Sequence, residues 1–164
     1  MTIIYESKTG FTEKYAKMLA KITGLKAYNI KDFNSVKKGS DVVFLGWISA
    51  GRVKGLKKAL KNFNVKAVCA SGTGRGPEPN SATFVKNNNI EGKEFFYLRG
   101  GNKPIREIKG FDKVILSMFL KMLKSKKDKT DDIIEAINNI ESGVDYVKEE
   151  NLAEVVKWVN KQIK

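Results

Sequence analysis

The chain has 164 residues and a formal net charge of +13, and 41% of its residues are hydrophobic and 30% charged. This composition is typical of one globular domain with a substantial core. The absence of histidine excludes Ser-His-Asp and Cys-His catalysis and argues against a metal centre. The single cysteine fits a reducing compartment, and the apolar run 2–5 is too short for a signal peptide, so we expect a cytoplasmic protein.

The first half of the chain predicts strands that alternate with helices. A β-rich run covers 2–5, and a helix begins near Thr12 and stops at Gly24. Further strands are expected at 25–30 and at 41–46. The second of these is continuously apolar, as in a parallel sheet that is buried on both faces. A helix then follows through Leu56, Leu60 and Phe63.

The second half continues this alternation and then departs from it. Strands are expected at 65–70 and 94–98, with helices at 80–88 and 151–163. Roughly fifty residues separate the fifth strand from the last helix, far more than a usual connection. This segment holds an apolar helix at 114–123, and residues 101–130 contain nine Lys or Arg against three Asp or Glu. We expect one α/β domain over 1–164, a doubly wound parallel sheet with a helical insertion at about 102–148.

Three loops that follow predicted strands have the composition of a binding site. They are Ser7 to Thr12, Trp47 to Arg52 and Ser71 to Gly76. Ligands of open parallel sheets bind outside the carboxyl ends of the strands. In the first loop, hydroxyl groups, a glycine and the start of a helix together favour phosphate. A Walker motif is absent.

The first strand, loop and helix resemble the signature of the flavodoxin family. The matching positions are the apolar pair Ile3 and Ile4, Tyr5, Ser7, Gly10, Thr12, Ala16 and Leu19. The resemblance implies a three-layer sandwich with strand order 2-1-3-4-5 and bound FMN. It implies phosphate contacts from Ser7, Lys8, Thr9, Gly10, Phe11 and Thr12. It implies ring contacts from Trp47, Ile48, Ser49, Ala50, Gly51, Ser71, Gly72, Thr73 and Gly74.

The chain also departs from ordinary flavodoxins. Their surfaces are strongly acidic, whereas this chain is basic, and its fourth-strand loop offers Arg75 where an aromatic often covers the flavin. We expect Arg52 and Arg75, which flank the ring loops, to stabilise reduced flavin. Trp47 is either a flavin contact or simple packing, and Cys69 is expected in the core.

A second resemblance concerns the insertion. Leu98-Arg99-Gly100-Gly101, Phe111-Asp112-Lys113 and the stretch 118–122 are similar to the flavodoxin-like menaquinone-dependent protoporphyrinogen dehydrogenases, although the segment after Lys124 diverges. The helix 114–123 then has three interpretations. It packs on the domain, forms a homodimer interface, or contacts lipid or quinone.

Three functions follow from these patterns. The first is an FMN-dependent oxidoreductase of the protoporphyrinogen dehydrogenase type that passes electrons to a quinone. The second is an electron carrier that serves a redox partner protein and has no substrate site. The third, a basic binding module without flavin, is disfavoured by the intact phosphate loop. In the first two the flavin does the chemistry, so no catalytic side chain and no metal are predicted. We expect no nucleic-acid binding, and we expect peripheral contact with an anionic membrane at its inner face.

Overall fold

The computed structural model describes residues 1–163, apart from the side chains of residues 33 and 34. Its strands are β1 Thr2–Glu6, β2 Ala27–Asn29, β3 Asp41–Ser49, β4 Arg52–Val53, β5 Asn64–Gly72, β6 Glu94–Arg99, β7 Gly101–Asn102 and β8 Val144–Asp145. Its α-helices are α1 Phe11–Thr23, α2 Leu56–Asn62, α3 Ser81–Asn87, α4 Phe111–Ser125, α5 Asp131–Ser142 and α6 Ala153–Gln162. Short 3₁₀ segments cover Ile30–Ser35, Ile105–Glu107 and Glu149–Leu152.

Five parallel strands form the central sheet in the spatial order β2-β1-β3-β5-β6. The short strand β4 is not one of these five strands, and it pairs antiparallel with the end of β3. Counted along the chain without β4, the parallel strands follow the order 2-1-3-4-5. The predicted α/β fold of flavodoxin-like topology is therefore confirmed.

The two faces of the sheet bury alternate residues of each strand, because successive side chains of a strand point to opposite faces. Ile3 and Val43 lie in one core with residues of α1 and α6. Ile4 and Phe44 lie in the other core with residues of α2 and α3. Cys69 belongs to the first core and is fully buried. Helices thus cover both faces of the sheet, whose central strands are the most buried, and this makes three layers.

The largest differences from the predicted elements lie outside the sheet centre. The second strand is shorter than expected, because a 3₁₀ segment already begins at Ile30. Helix α5 has no counterpart among the predicted elements, although Thr130 caps it by accepting from the backbone N–H of Ile133. Its apolar residues recur at helical spacing, so this helix had a readable signal.

The inserted segment leaves and rejoins the domain at one place. Its two ends pair as the antiparallel ribbon of β7 and β8, where Gly101 faces Asp145. Between them, α4 and α5 share a small apolar cluster centred on Leu123, Ile137 and Ile140. Within residues 1–163, no helix combines the length and the apolar character that crossing a membrane requires.

Candidate functional site

The three predicted loops follow neighbouring strands at the same edge of the sheet. Glu6 at the end of β1 faces Gly46 of β3, and Trp47 of β3 faces Ser71 of β5. Because parallel strands end at a common edge, the segments 7–12, 47–51 and 71–74 converge there. All fifteen predicted site residues therefore lie on three neighbouring segments.

The loop after β1 is shaped by Gly10. This residue adopts the left-handed conformation, with φ of 94°, and its N–H donates to the Ser7 hydroxyl at 3.2 Å. Helix α1 begins at the next residue and has no side-chain cap. The first N–H groups of a helix lack partners within the helix, so this end can accept an anion.

The side chains of this loop divide into exposed and packed ones. Lys8 and Thr9 are exposed, whereas Thr12 is buried. The Phe11 ring packs against Gly101, where an added Cβ would lie 2.6 Å from the ring. Phe11 thus joins the loop to the inserted segment. The polar groups on the solvent side of the loop come from Ser7, Lys8 and Thr9.

Two lysines lie near the ring of Trp47. Their ammonium groups lie 5.7 Å (Lys8) and 5.9 Å (Lys54) from the ring centroid. The indole Nε1 is buried and has no hydrogen-bond partner among the side chains and backbone that the structure describes. An unpaired buried donor costs free energy. A ligand bound beside Trp47 that accepts a hydrogen bond from the indole N–H would remove this cost.

The segment that contains Trp47 is a tight hairpin rather than the open loop that the sequence predicts. Strand β3 continues to Ser49 and turns through Ala50 and Gly51, both with positive φ, into β4. Asn88, at the end of α3, fixes this turn. Its Nδ2 donates to the Gly51 carbonyl at 3.0 Å, and its Oδ1 accepts from the Val53 N–H at 2.9 Å. Sequence reasoning missed Asn88, because nothing local connects it to residue 51.

The last residues of β5 are held by close packing. An added Cβ at Gly72 would lie 2.8 Å from the Tyr97 hydroxyl oxygen. That hydroxyl donates to the Gly74 carbonyl at 2.8 Å. Burial raises the pKa of Tyr97 to about 12, so the phenol stays protonated and keeps this hydrogen bond at neutral pH.

A cluster of charged and aromatic side chains borders the loop after Gly74. Arg75 and Arg99 both pair with Glu135 of α5, and the guanidinium of Arg99 stacks on the Tyr146 ring. A depression of about 470 Å³ opens beside this cluster, lined by residues of α5 together with Arg75 and Tyr146. The sequence singled out both arginines but not Glu135 or Tyr146.

The likeness to flavodoxins is one of topology and of local sequence. A scan against models of protein families gives no match, and a search of curated proteins gives none either.

The residues present fit a flavin mononucleotide in chemical type. The uncapped start of α1 and the polar side chains of the first loop suit a phosphate. Trp47 suits the flavin ring for two reasons. Its flat indole can pack against an aromatic ring, and its unpaired Nε1–H can donate to a polar edge of that ring.

Proposed function

We propose that the chain is an FMN-dependent redox protein. The observation that carries this proposal is the convergence of three strand-end segments beside the uncapped N-terminus of α1. Ligands of this sheet topology bind at that edge, at the point where the strand order reverses between β1 and β3.

In this proposal, Ser7 to Thr12 hold the phosphate and the other two segments hold the ring. Thr9 is exposed on the solvent side, and Lys8 can reach an anion there when it releases Asp112. The first backbone N–H groups of α1 lie at the same loop. The segments 47–51 and 71–74 border the ring, with Trp47 as the aromatic contact. FMN supplies the electron transfer when it is bound, while the chain binds, orients and electrostatically tunes it.

The decisive test compares FMN with riboflavin, which lacks the phosphate. Charge-assisted phosphate contacts contribute about 1.5–3 kcal/mol each, so we expect Thr9→Ala and Thr12→Ala to weaken FMN about tenfold or more. Riboflavin affinity should stay unchanged in both variants. Ser117→Ala, on the exposed surface of α4, is the control. Equal affinity of the native protein for FMN and riboflavin would refute the proposal.

The inserted segment favours an oxidoreductase over a simple carrier. Helix α4 turns Leu116, Leu120 and Leu123 toward α5. Its opposite side leaves six large apolar side chains between 45% and 77% exposed: Phe111, Val114, Ile115, Met118, Phe119 and Met122. We call this set the α4 apolar face. A surface helix normally exposes its polar side, so this face is suited to an apolar partner.

The lysines near the α4 apolar face indicate what kind of partner this face contacts. Lys113 and Lys121 lie on the same helix, and Lys126, Lys127 and Lys129 follow it. Each lysine near anionic lipid contributes about 1 kcal/mol of attraction. A second copy of the chain would bring like charges together. We therefore propose that the face lies against an anionic membrane, at the level of the headgroups.

The position of α4 links this membrane contact to the candidate flavin site. Asp112, in the first turn of α4, pairs with Lys8 of the first loop. The α4 apolar face consequently begins beside the site. A hydrophobic substrate or a quinone in the membrane would meet the flavin there. This supports an enzyme of the protoporphyrinogen dehydrogenase type, and the electron carrier is the alternative.

Co-sedimentation with vesicles tests the membrane contact. We expect binding to anionic vesicles at low salt, weaker binding at high salt, and little binding to neutral vesicles. Met118→Ser with Phe119→Ser should abolish it. Ile22→Ser with Ile163→Ser removes two exposed apolar side chains elsewhere and should leave binding intact.

An activity assay separates the enzyme from the carrier. The FMN-loaded protein should oxidise protoporphyrinogen with a quinone as acceptor, and the serine variants of α4 should lose this activity. If neither vesicles nor porphyrinogen respond while an acidic redox protein accepts electrons readily, the carrier is the correct function.

A further inference from the structure

Glu135 accepts hydrogen bonds from three side chains that come from different parts of the chain. Its Oε2 accepts from Arg75 Nε at 3.1 Å, and its Oε1 accepts from Arg99 and from the Tyr146 hydroxyl at 2.8 Å. Arg75 follows the predicted ring loop, and Arg99 ends β6. The carboxylate of Glu135 therefore connects the inserted segment to the predicted ring loop and to the end of β6.

Glu135, Arg99 and Tyr146 all contact one another. The guanidinium carbon of Arg99 lies 3.7 Å from the centroid of the Tyr146 ring, and the hydroxyl of that ring returns to Glu135. A stacked and paired guanidinium has little freedom to move. The side chains of Arg99 and Glu135 are partly exposed, at 31% and 26%, so their pairing is more persistent than that of fully exposed ions.

Arg75 has a second carboxylate partner. Asp132, one turn before Glu135 on α5, lies 3.1 Å from Arg75 Nε. Both members of this pair are well exposed, so it contributes less than the pairing with Glu135. Two carboxylates thus offset the charge of Arg75, while the expectation that Arg75 stabilises reduced flavin stays a prediction.

We propose that Glu135 is a positioning residue that sets both the place and the charge of the loop beside the flavin ring. This rests on the proposed function, in which the segment 71–74 borders the ring. Glu135 holds Arg75 against α5, and with it the end of that segment. It also cancels positive charge that would otherwise favour reduced over oxidised FMN.

The test measures the binding of oxidised and reduced FMN in the native protein and three variants. In Glu135→Gln, Arg75 and Arg99 lose their counter-charge, so reduced FMN should gain about tenfold over oxidised FMN relative to the native protein. Asp132→Asn removes the same formal charge one turn away but leaves Arg99 and Tyr146 paired, and should change the ratio less than about threefold. Adding Arg75→Gln to Glu135→Gln should return the ratio most of the way to the native value.

Hydrogen exchange on the FMN-free protein provides a second measurement. Residues 73–80 and 131–142 should exchange faster in Glu135→Gln than in Asp132→Asn, because only the first variant weakens the contacts of Arg75, Arg99 and Tyr146 together.

The outcomes separate this inference from the proposed function. A native protein that binds no FMN overturns the proposed function and the charge role with it, while exchange rates still decide the positioning role. A native protein that binds FMN, with Glu135→Gln matching Asp132→Asn in both measurements, overturns this inference alone.

Discussion

Lys8 of the loop after β1 forms an ion pair with Asp112 in the first turn of α4. The two residues are 104 positions apart in the chain. Their pairing places the start of the inserted segment against the loop that is proposed to bind phosphate. Any phosphate that recruits Lys8 must compete with this carboxylate.

Removal of Asp112 should therefore strengthen FMN binding. In Asp112→Asn, Lys8 is free for the phosphate, and we expect the affinity for FMN to rise several-fold while riboflavin affinity stays constant. The pair is about half exposed, so the free energy of unfolding should change by less than about 1 kcal/mol. Fluorescence titration and urea unfolding measure the two effects. Asp128→Asn, which removes an exposed charge between α4 and α5, is the control, and an equal gain there would show a general charge effect.

A side chain added at Gly100 would collide with Ser71. An added Cβ would lie 2.2 Å from the Ser71 hydroxyl oxygen. Gly100→Ala should destabilise the protein by about 1–3 kcal/mol, as overpacking does in other cores. Because Ser71 Oγ is the obstacle, Ser71→Ala in the same protein should restore most of the loss. Gly76→Ala, where an added Cβ meets nothing within 4 Å, should be neutral or slightly stabilising. Urea denaturation measures all three, and a double variant no more stable than Gly100→Ala would contradict the packing explanation.

The ion pairs of Glu135 predict a pH dependence of stability. The hydrogen bond from the Tyr146 hydroxyl, together with those from Arg75 and Arg99, lowers the pKa of Glu135. A carboxyl group with a lowered pKa stabilises the fold above its unfolded pKa, about 4.3 for glutamate, and loses this contribution as the pH falls through its folded pKa. The stability difference between the native protein and Glu135→Gln should be constant from about pH 7 to about pH 5 and should shrink at lower pH. Urea unfolding from about pH 7 to about pH 3 measures it, with Asn138→Ala on the same helix as control. A difference that does not shrink in acid would be inconsistent with this origin.

Cys69 should be inert in the folded protein. It is fully buried in β5, and burial raises the pKa of its thiol, so neither access nor ionisation favours reaction. We expect a thiol reagent at about pH 8 to label it only after the protein unfolds. Ser117→Cys in a Cys69→Ala background, with the thiol on exposed α4, should be labelled rapidly. Equally fast labelling of the native protein would mean that β5 opens readily.

The central sheet could be predicted from the sequence because its signals are local. The apolar run 42–46 indicates a strand that is buried on both faces, and Gly24 ends α1 through its own left-handed conformation. The parallel order then follows from the alternation of strands and helices. The common edge of the three loops is predictable for the same reason, because each loop directly follows a strand of that parallel sheet.

The environment of the candidate site was decided by the tertiary structure alone. Hydrogen bonds between residues distant in sequence, such as those from Asn88 to the turn at Gly51, leave no local pattern. The sequence places Arg75 beside a predicted ring loop, and only the docking of α5 shows that Glu135 and Asp132 compensate its charge. Likewise, the sequence shows which residues of α4 are apolar. Which of its sides meets α5, and which stays exposed, depends on how the two helices pack.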